Sequence, residues 1–258
     1  MEIEEIKTNG MIHGRFQPFH VGHLQHLKKA LKRVPNGQKL YVGITKPFLT
    51  DNGTSVGDDH RDNKDSNPYT FEQRKEMILE SIRLDPEISE RLEDIVVIPW
   101  PMNNDKELNL IIDAMFPNRT EVVQFMNIIP DDGWEYEKQA MLQNLGFKTV
   151  NLVDIKQPRI TSATEVRGLR RTPSTGEWTK KVPEGTRQVL EGLDNGTLNI
   201  PTKYKCVVDF INDQLINPKE VASATLPRDP ESQEITDEVG GTLDQVIDRT
   251  RGDAQVLW

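Results

Sequence analysis

Two closely spaced histidines near the amino terminus are the residues whose types and spacing best suit chemistry. They lie in the segment GRFQPFHVGH, residues 14 to 23, which follows a short apolar run and opens a helical pattern. His20 and His23 are three positions apart, so both can face one side of that helix. A helix start offers free N–H groups and partial positive charge, and Gly14 and Gly22 let the backbone approach a ligand closely. The segment therefore predicts a phosphate site.

Arg15 in the same segment favours this interpretation, because a guanidinium group can place two N–H groups on phosphate oxygens. A zinc site and core packing are the alternatives for the histidine pair. Zinc needs further ligands, and the remaining soft donors are scattered. They are His13, His26, His60 and Cys206. We therefore predict no metal-ligating residues, and interpret His13 as strand packing and His26 as a solvated helix residue.

A second segment far along the chain, SATEVR at residues 162 to 167, has the pattern of another helix start. Ser162 followed three positions later by Glu165 is typical of an N-cap, and Arg167 then lies one turn inside the helix. Taken alone, the segment is also typical of an ordinary cap before a basic helix. Its interest comes from its pairing with the histidine segment.

The elements that must position these segments alternate between strands and helices along the first 193 residues. Short runs rich in Val and Ile predict strands at residues 11 to 14, 39 to 44, 94 to 99, 120 to 126 and 147 to 153. Helical patterns lie at about residues 21 to 33, 70 to 84, 105 to 115, 134 to 145, 164 to 171 and 183 to 193. This rhythm predicts an α/β protein with a five-stranded parallel sheet, whose ligand binds at the carboxyl ends of the strands.

The charge of the chain is unevenly distributed. Of the formal net charge of −9 over 258 residues, residues 194 to 258 carry −6, with 12 acidic and 6 basic side chains. We therefore expect a nearly balanced domain, residues 1 to 193, and an acidic C-terminal extension, residues 194 to 258, that is partly helical or mobile. The acidity argues against binding to DNA or RNA, since phosphate neutralisation needs clustered Lys and Arg.

Hydropathy, the first residues and the cysteine count indicate where in the cell the protein works. No apolar run approaches the ~18 residues of a membrane span, and the first residues are acidic where a signal peptide is basic. The single cysteine excludes an internal disulfide framework and suits a reducing environment. We therefore expect a cytoplasmic protein that binds neither nucleic acid nor membrane.

One connection, residues 45 to 67, is much longer than usual and is either functional or unstructured. Its basic residues Lys46, His60 and Arg61 predict a lid over an anionic acceptor. The five aspartates among them also fit a solvated loop. Trp134 can stack on a base or a ring, or it can pack against the protein.

Together these segments resemble the nucleotidyltransferases with an HxGH signature, and within them the archaeal-type nicotinamide mononucleotide (NMN) adenylyltransferases. GRFQPFHVGH is similar to the first motif of that family, and SATEVR to its ISSTxxR motif. NPYTFEQRKEM, residues 67 to 77, resembles the second block, and GEW with the following Val-Pro, residues 176 to 183, resembles the closing segment. The four blocks occur in the family's order. By this resemblance we expect a Rossmann-like nucleotidyltransferase fold with a C-terminal extension.

The resemblance implies an enzyme that moves a nucleoside monophosphate from an NTP to the phosphate of a small acceptor and releases pyrophosphate. An acceptor phosphate is already largely ionised near neutral pH, so no general base is needed. Catalysis then rests on alignment and on charge stabilisation at the α-phosphorus, with Mg²⁺ bridging phosphate oxygens. The family resemblance also makes a homo-oligomer plausible.

The resemblance also implies roles for particular residues. The catalytic residues are His20, His23, Arg15 and Arg167, which hold the triphosphate and stabilise charge on the α-phosphoryl group and the leaving pyrophosphate. The nucleotide-binding residues are Gly14, Phe16, Gly22, Ser162 and Thr164, of which the two hydroxyl residues bind the β and γ phosphates. The acceptor-binding residues are Lys46, His60, Arg61, Arg74 and Trp134. An exposed helix arginine is the alternative for Arg74.

Two regions depart from the adenylyltransferase pattern where a nicotinamide ribotide is expected. The family's Gly-Ser-Ala-Gln type sequence is replaced by GITKP, residues 43 to 47, and its Thr-Gly-Asn type turn by NIIPDDGW, residues 127 to 134. Related cytidylyltransferases that act on small phosphonates resemble this chain in the Thr-x-Pro start and in the Asp-rich turn before Trp. Adenylyl transfer from ATP to NMN, a step of NAD synthesis, is the main prediction. CTP-dependent transfer to a small phosphonate or phosphate is the first alternative, and a non-catalytic nucleotide-sensing module is the second.

Overall fold

The computed structural model describes residues 8–48, 64–128, 133–152, 160–172 and 176–216, and these residues build a five-stranded, all-parallel sheet. Its strands are β1 (Asn9–Gly14), β2 (Leu40–Ile44), β3 (Ile95–Pro99), β4 (Val122–Met126) and β5 (Lys148–Asn151). The order is β3-β2-β1-β4-β5, so β1 lies at the centre with β2 on one side and β4 on the other. The predicted α/β fold with a five-stranded parallel sheet is confirmed.

The first six helices of the described residues lie close to the ranges that the periodicity predicted, and the last lies in the C-terminal extension that was expected to be partly helical. The helices are α1 (Val21–Leu31), α2 (Phe71–Arg83), α3 (Asp105–Met115), α4 (Gly133–Asn144), α5 (Ala163–Arg170), α6 (Glu184–Asp194) and α7 (Val207–Ile216). Short 3₁₀ helices precede β3, β4 and α6, at Ser89–Asp94, Arg119–Glu121 and Glu177–Lys181. No helix within these described ranges is both long and apolar enough to cross a membrane.

The centre of the sheet is packed on the face that carries Met11. A Cβ on Gly43 would lie 2.6 Å from the Met11 side chain and 2.8 Å from that of Trp100, so only glycine fits in β2 at this point. The Trp100 indole is fully buried, with ring contacts to Phe116 and Phe147 at 6.0 and 6.1 Å between centroids. These side chains form a closely packed core against this face of the sheet.

The carboxyl ends of the three strands β1, β2 and β3 lie level with one another. The parallel register pairs Gly14 with Ile44 and Ile44 with Pro99. Backbone bonds continue the ladders past the strands, from Thr45 N–H to the Gly14 carbonyl and from Trp100 N–H to the Ile44 carbonyl, both at 2.9 Å. The loops that leave these strands therefore start side by side.

The residues after α6 pack against α2. The backbone N–H groups of Lys203 and Tyr204 both donate to the Glu72 carboxylate at 2.8 Å. The rings of Tyr204 and Phe210 lie against Phe71, with centroids 6.2 Å away in each case. A domain boundary at residue 193 stays a prediction, and the predicted mobile part of the extension, from residue 217, lies outside the described residues.

The two histidines not assigned to the site are both partly buried. His13 lies in β1, in agreement with its interpretation as strand packing, and burial lowers its pKa well below the ordinary value. The prediction that His26 is solvated was wrong. Burial lowers the pKa of His26 to about 4, against a smaller opposing effect of a hydrogen bond with the Phe125 backbone. His26 instead bonds to the backbone of Phe125 in β4, a contact between distant segments that helical periodicity does not show.

Candidate active site

The two histidines of the first segment lie where the loop after β1 enters α1. His20 is the N-cap residue, and its Nδ1 accepts a bond of 3.2 Å from the backbone N–H of His23. In return, His23 Nδ1 accepts a bond of 3.2 Å from the backbone N–H of His20. The two rings stack at 14°, with centroids 3.5 Å apart. This reciprocal capping box satisfies two N–H groups that a helix start otherwise leaves without intrahelical partners.

The capping bonds fix the tautomer of both rings. Because each Nδ1 accepts a hydrogen, neither Nδ1 can carry one in this arrangement, and Nε2 holds the hydrogen of each neutral ring. In the neutral rings of His20 and His23, Nε2–H is then the side-chain donor. Such donors suit a phosphate oxygen.

Aromatic side chains hold the histidine pair from the protein side. His23 contacts the ring of Phe16 edge to face at 4.9 Å and stacks on Phe19 at 5.6 Å. A Cβ on Gly14 would lie 3.0 Å from the Phe16 ring, and one on Gly22 would lie 3.2 Å from the His20 ring. The two glycines of the segment therefore make room for these rings.

The structure brings the second segment to the first across a long stretch of sequence. Ser162 is the N-cap of α5, and its hydroxyl accepts a bond of 3.1 Å from the backbone N–H of Glu165. Arg167 donates at 2.5 Å to the carbonyl of Gln17, which is 150 residues away, and at 3.2 Å to the hydroxyl of Thr164. Arg167, one turn inside α5, thereby ties this helix to the loop after β1.

Further residues that the sequence did not single out join the same two segments. The side-chain amide of Gln17 donates to the Tyr69 carbonyl at 2.9 Å and accepts from the Tyr69 N–H at 3.1 Å. Arg170 donates to the Tyr69 hydroxyl and to the Asp194 carboxylate. A buried side-chain amide needs hydrogen-bond partners. The presence of Gln17 within the first motif is therefore the signal that could have indicated its part in joining the segments.

Arg74 lies in the first turn of α2 and is fully buried, so its interpretation as an exposed helix arginine was wrong. Its guanidinium group donates five bonds of 2.9 to 3.1 Å, all to backbone carbonyls. Since an arginine has five N–H groups, direct binding of an acceptor by Arg74 would require one of these bonds to break.

The other predicted acceptor residues are located only in part. Lys46 is the second residue after β2 and has a left-handed backbone, with φ of 47°. His60 and Arg61 lie outside the described residues. Trp134 is the second residue of α4, and its side chain lies outside what the structure describes.

The chemical character of the site is that of an anion site. Burial lowers the pKa of Arg167, and the nearby charge of Arg171 acts in the same direction. The donors that converge are N–H and hydroxyl groups. Among the described residues, no group of three or more His, Cys, Asp or Glu side chains could hold a metal ion. Guanidinium and imidazole N–H donors of this kind suit phosphate oxygens.

Comparisons with known proteins agree with this architecture. The sequence model of the Cytidylyltransferase-like family matches residues 11–168. The chain is 28% identical over 197 residues to a phosphonoformate cytidylyltransferase of Streptomyces viridochromogenes, covering 75% of this chain and 97% of the relative. It is 25% identical over 189 residues to a nicotinamide-nucleotide adenylyltransferase of Archaeoglobus fulgidus, covering 70% and 89%.

A solved structure is similar in fold. It is a bifunctional NMN adenylyltransferase/ADP ribose pyrophosphatase from Francisella tularensis, complexed with AMP and a manganese ion, with a TM-score of 0.50 and 18% identity. The match covers 87% of this chain, which spans 58% of that structure. The family match, together with the cytidylyltransferase and adenylyltransferase relatives, defines the class of the protein as a nucleotidyltransferase. The chain belongs to the cytidylyltransferase-like family.

Proposed function

We propose that the protein catalyses direct transfer of a nucleoside monophosphate from an NTP to a phosphate or phosphonate oxygen of a small acceptor. The observation that carries this proposal is the bond from Arg167 to the Gln17 carbonyl, which joins the helix capped by Ser162 to the loop that leads into the His20 and His23 capping box. A triphosphate needs donors at more than one point, and two helix starts supply them.

The chemistry is a single displacement. An acceptor oxygen forms a bond to the α-phosphorus while the bond from that phosphorus to the pyrophosphate oxygen breaks, and the electron pair leaves with pyrophosphate. No proton must be removed from an ionised acceptor, so the site needs no general base. The task of the protein is to align the two substrates and to stabilise charge at the α-phosphoryl group.

Each residue of the site has a proposed part in this step. The Nε2–H groups of His20 and His23 donate to oxygens of the α-phosphoryl group and the leaving pyrophosphate. Arg15 and Arg167 hold phosphate oxygens, and Ser162 binds the terminal phosphates. Thr164 acts with it there, next to the guanidinium group to which it is bonded.

The rest of the nucleotide and the acceptor lie on either side of these groups. Phe16 frames the nucleotide together with the glycines of the first segment, Gly14 and Gly22. Lys46 faces the acceptor, since it follows the strand next to β1. We propose that His60, Arg61 and Trp134 complete the acceptor side.

Mg²⁺ is the divalent cation that we expect to accompany the nucleotide. Mg²⁺ prefers oxygen ligands and commonly binds through substrate phosphates. The described residues of the site offer N–H and hydroxyl donors, so the phosphate oxygens of the nucleotide would hold the ion. When bound, it neutralises part of the triphosphate charge.

Two substrate pairs are supported by different observations. Transfer from ATP to NMN is supported by the nicotinamide-nucleotide adenylyltransferase relative. Transfer from CTP to a small phosphonate is supported by the cytidylyltransferase relative, of which the chain covers 97%, and by the Thr45-Lys46-Pro47 turn after β2. In the second case Lys46 would meet a compact anion.

The test is a pyrophosphate-release assay that crosses ATP and CTP with NMN, nicotinate mononucleotide and small phosphonates. We expect turnover with one nucleotide and one acceptor class, and a loss of about 10²-fold or more in the variant His20→Ala. The variant His26→Gln, on the same helix but outside the site, is the matched control and should keep its turnover. Tight nucleotide binding without turnover in any pair would refute the proposed transfer and favour a nucleotide-sensing module.

A further inference from the structure

Arg74 has an unusual environment for a charged side chain. It is fully buried, and burial lowers the pKa of its guanidinium group to about 9, with the nearby charge of Glu72 acting in the opposite direction. Nε donates to the carbonyl of Thr70, the N-cap residue of its own helix, at 3.1 Å. A buried charge of this kind is stable only when its N–H groups are all bonded.

The other four bonds of Arg74 go to the two loops that leave neighbouring strands. Nη1 donates to the carbonyls of Arg15 at 2.9 Å and Thr45 at 3.0 Å. Nη2 donates to the carbonyls of Lys46 and Pro47, both at 2.9 Å. One side chain therefore joins the loop after β1, the loop after β2 and the start of α2.

Both loops contain a residue in a strained conformation at this point. Phe16 and Lys46 have φ values of 52° and 47°, in the left-handed region that residues other than glycine seldom adopt. Such residues persist only where the surrounding structure holds them. The carbonyls bound by Arg74 belong to Lys46 itself and to Arg15, the residue before Phe16.

We propose that Arg74 is a positioning residue, which sets the nucleotide-binding loop and the acceptor-side loop at the distance required for transfer. The inference rests on the proposed function, because it assigns Arg15 and His20 to the nucleotide and Lys46 to the acceptor. Arg74 touches neither substrate. It acts through the backbone of the two loops that do.

This role predicts a particular kinetic effect. A displacement of about 1 Å between reacting groups can lower the rate by about 10²-fold, even when the change lies away from the chemistry. In Arg74→Lys the charge remains, but three N–H donors must serve five carbonyls. We expect kcat to fall about 100-fold, while KM for each substrate changes by less than about threefold, because the binding groups themselves are intact.

Arg91 offers a matched control. It too donates to backbone carbonyls, those of Leu31, Val34 and Pro35, at 2.9 to 3.1 Å, but these lie at the end of α1 and in the connection from α1 to β2. Arg91→Gln should lower the thermal stability and leave kcat near the wild-type value. An arginine with only a structural role would behave in the same way at position 74.

The experiment measures kcat, both KM values and thermal unfolding for wild type, Arg74→Lys and Arg91→Gln. Hydrogen exchange in the wild-type protein is a second measurement that needs neither turnover nor a folded variant. The amides of Thr45, Tyr69 and Gln73 should open with one common free energy, since Arg74 joins the segments that hold them.

A fall in kcat confined to Arg74→Lys, together with joint opening of the three amides, supports the proposal. The proposal is overturned if Arg74→Lys loses stability as Arg91→Gln does but keeps kcat within about threefold. Independent opening of the Thr45 amide would also overturn it. If the wild-type protein turns over no substrate pair, the proposed function fails. The hydrogen-exchange result then still tests whether Arg74 holds the two loops together.

Discussion

Two variants of His20 separate its part in the fold from its part in the reaction. The Nδ1 atom of His20 caps α1, and Nε2–H is the donor assigned to the nucleotide. Asparagine places an acceptor near the position of Nδ1 and is a good N-cap, but it has no group at Nε2. Glutamine reaches farther and can donate from near the Nε2 position, but it is a poor N-cap. Both variants lose the stacked ring. Comparing them therefore separates the effect of the cap on stability from the effect of the Nε2–H donor on turnover.

The expected magnitudes follow from one cap bond and one catalytic donor. An N-cap contributes about 1 kcal/mol, so His20→Asn should be more stable than His20→Gln by about that amount. For a protein of this size the melting temperatures should differ by about 2–4 °C. Loss of a preorganised donor costs about 10²–10³-fold in rate, so turnover should follow the opposite order, with His20→Gln at least about tenfold faster than His20→Asn.

Thermal unfolding and pyrophosphate release from the same preparations provide the test. The expected result is a crossed pattern, in which the more stable variant is the slower enzyme. If stability and turnover fall in parallel in the two variants, then the assignment of Nδ1 to the cap and Nε2 to the substrate is wrong.

Three further predictions concern packing, pH and the residues after α6. In thermal denaturation, Gly185→Ala should lose at least about 1–3 kcal/mol of unfolding free energy, because its Cβ would lie 2.2 Å from the backbone of α2. A Cβ on Gly168 would meet no atom within 4 Å, so Gly168→Ala should be neutral or gain up to about 1 kcal/mol. The folded protein holds His26 neutral down to a pKa of about 4, while the unfolded chain binds a proton near 6.5, so stability should fall as the pH drops from 6.5 to 4. In His26→Gln that fall should shrink by roughly 2–3 kcal/mol in urea titrations at the two pH values, and an unchanged fall would contradict the assignment. Glu72→Ala removes the acceptor of two backbone N–H groups, so amide exchange in α7 should accelerate at least about tenfold, and unchanged protection would show that the Tyr204 ring packing suffices.

The sheet and its helices could be predicted because their signals are local. Strands β3 and β4, for example, are short apolar runs with adjacent valines, and helices such as α2 begin directly after a good N-cap residue, Thr70. In α3, for example, Asn104 accepts from the backbone N–H of Glu107, and the helix begins at Asp105 as predicted. Contacts between successive elements then follow from the βαβ rhythm.

The site could be predicted as a set of residues, but its internal bonds could not. Histidine is not among the preferred N-cap residues, so the reciprocal bonds of His20 and His23 have no sequence signature. The bonds of Arg74 depend on carbonyls that lie 27 to 59 residues away. Every residue has a backbone carbonyl, so the residue types in a sequence do not show which carbonyls a side chain will bind.

The most direct test of direct nucleotidyl transfer follows a label on the α-phosphate of the NTP. The wild-type protein, nucleotide and acceptor are mixed, and the label is located in the acceptor product, in pyrophosphate or on the protein. The account predicts label in the acceptor product, an equal amount of unlabelled pyrophosphate and no label on the protein when the acceptor is omitted. Label bound covalently to the protein, or nucleotide that stays intact with every acceptor, would contradict it.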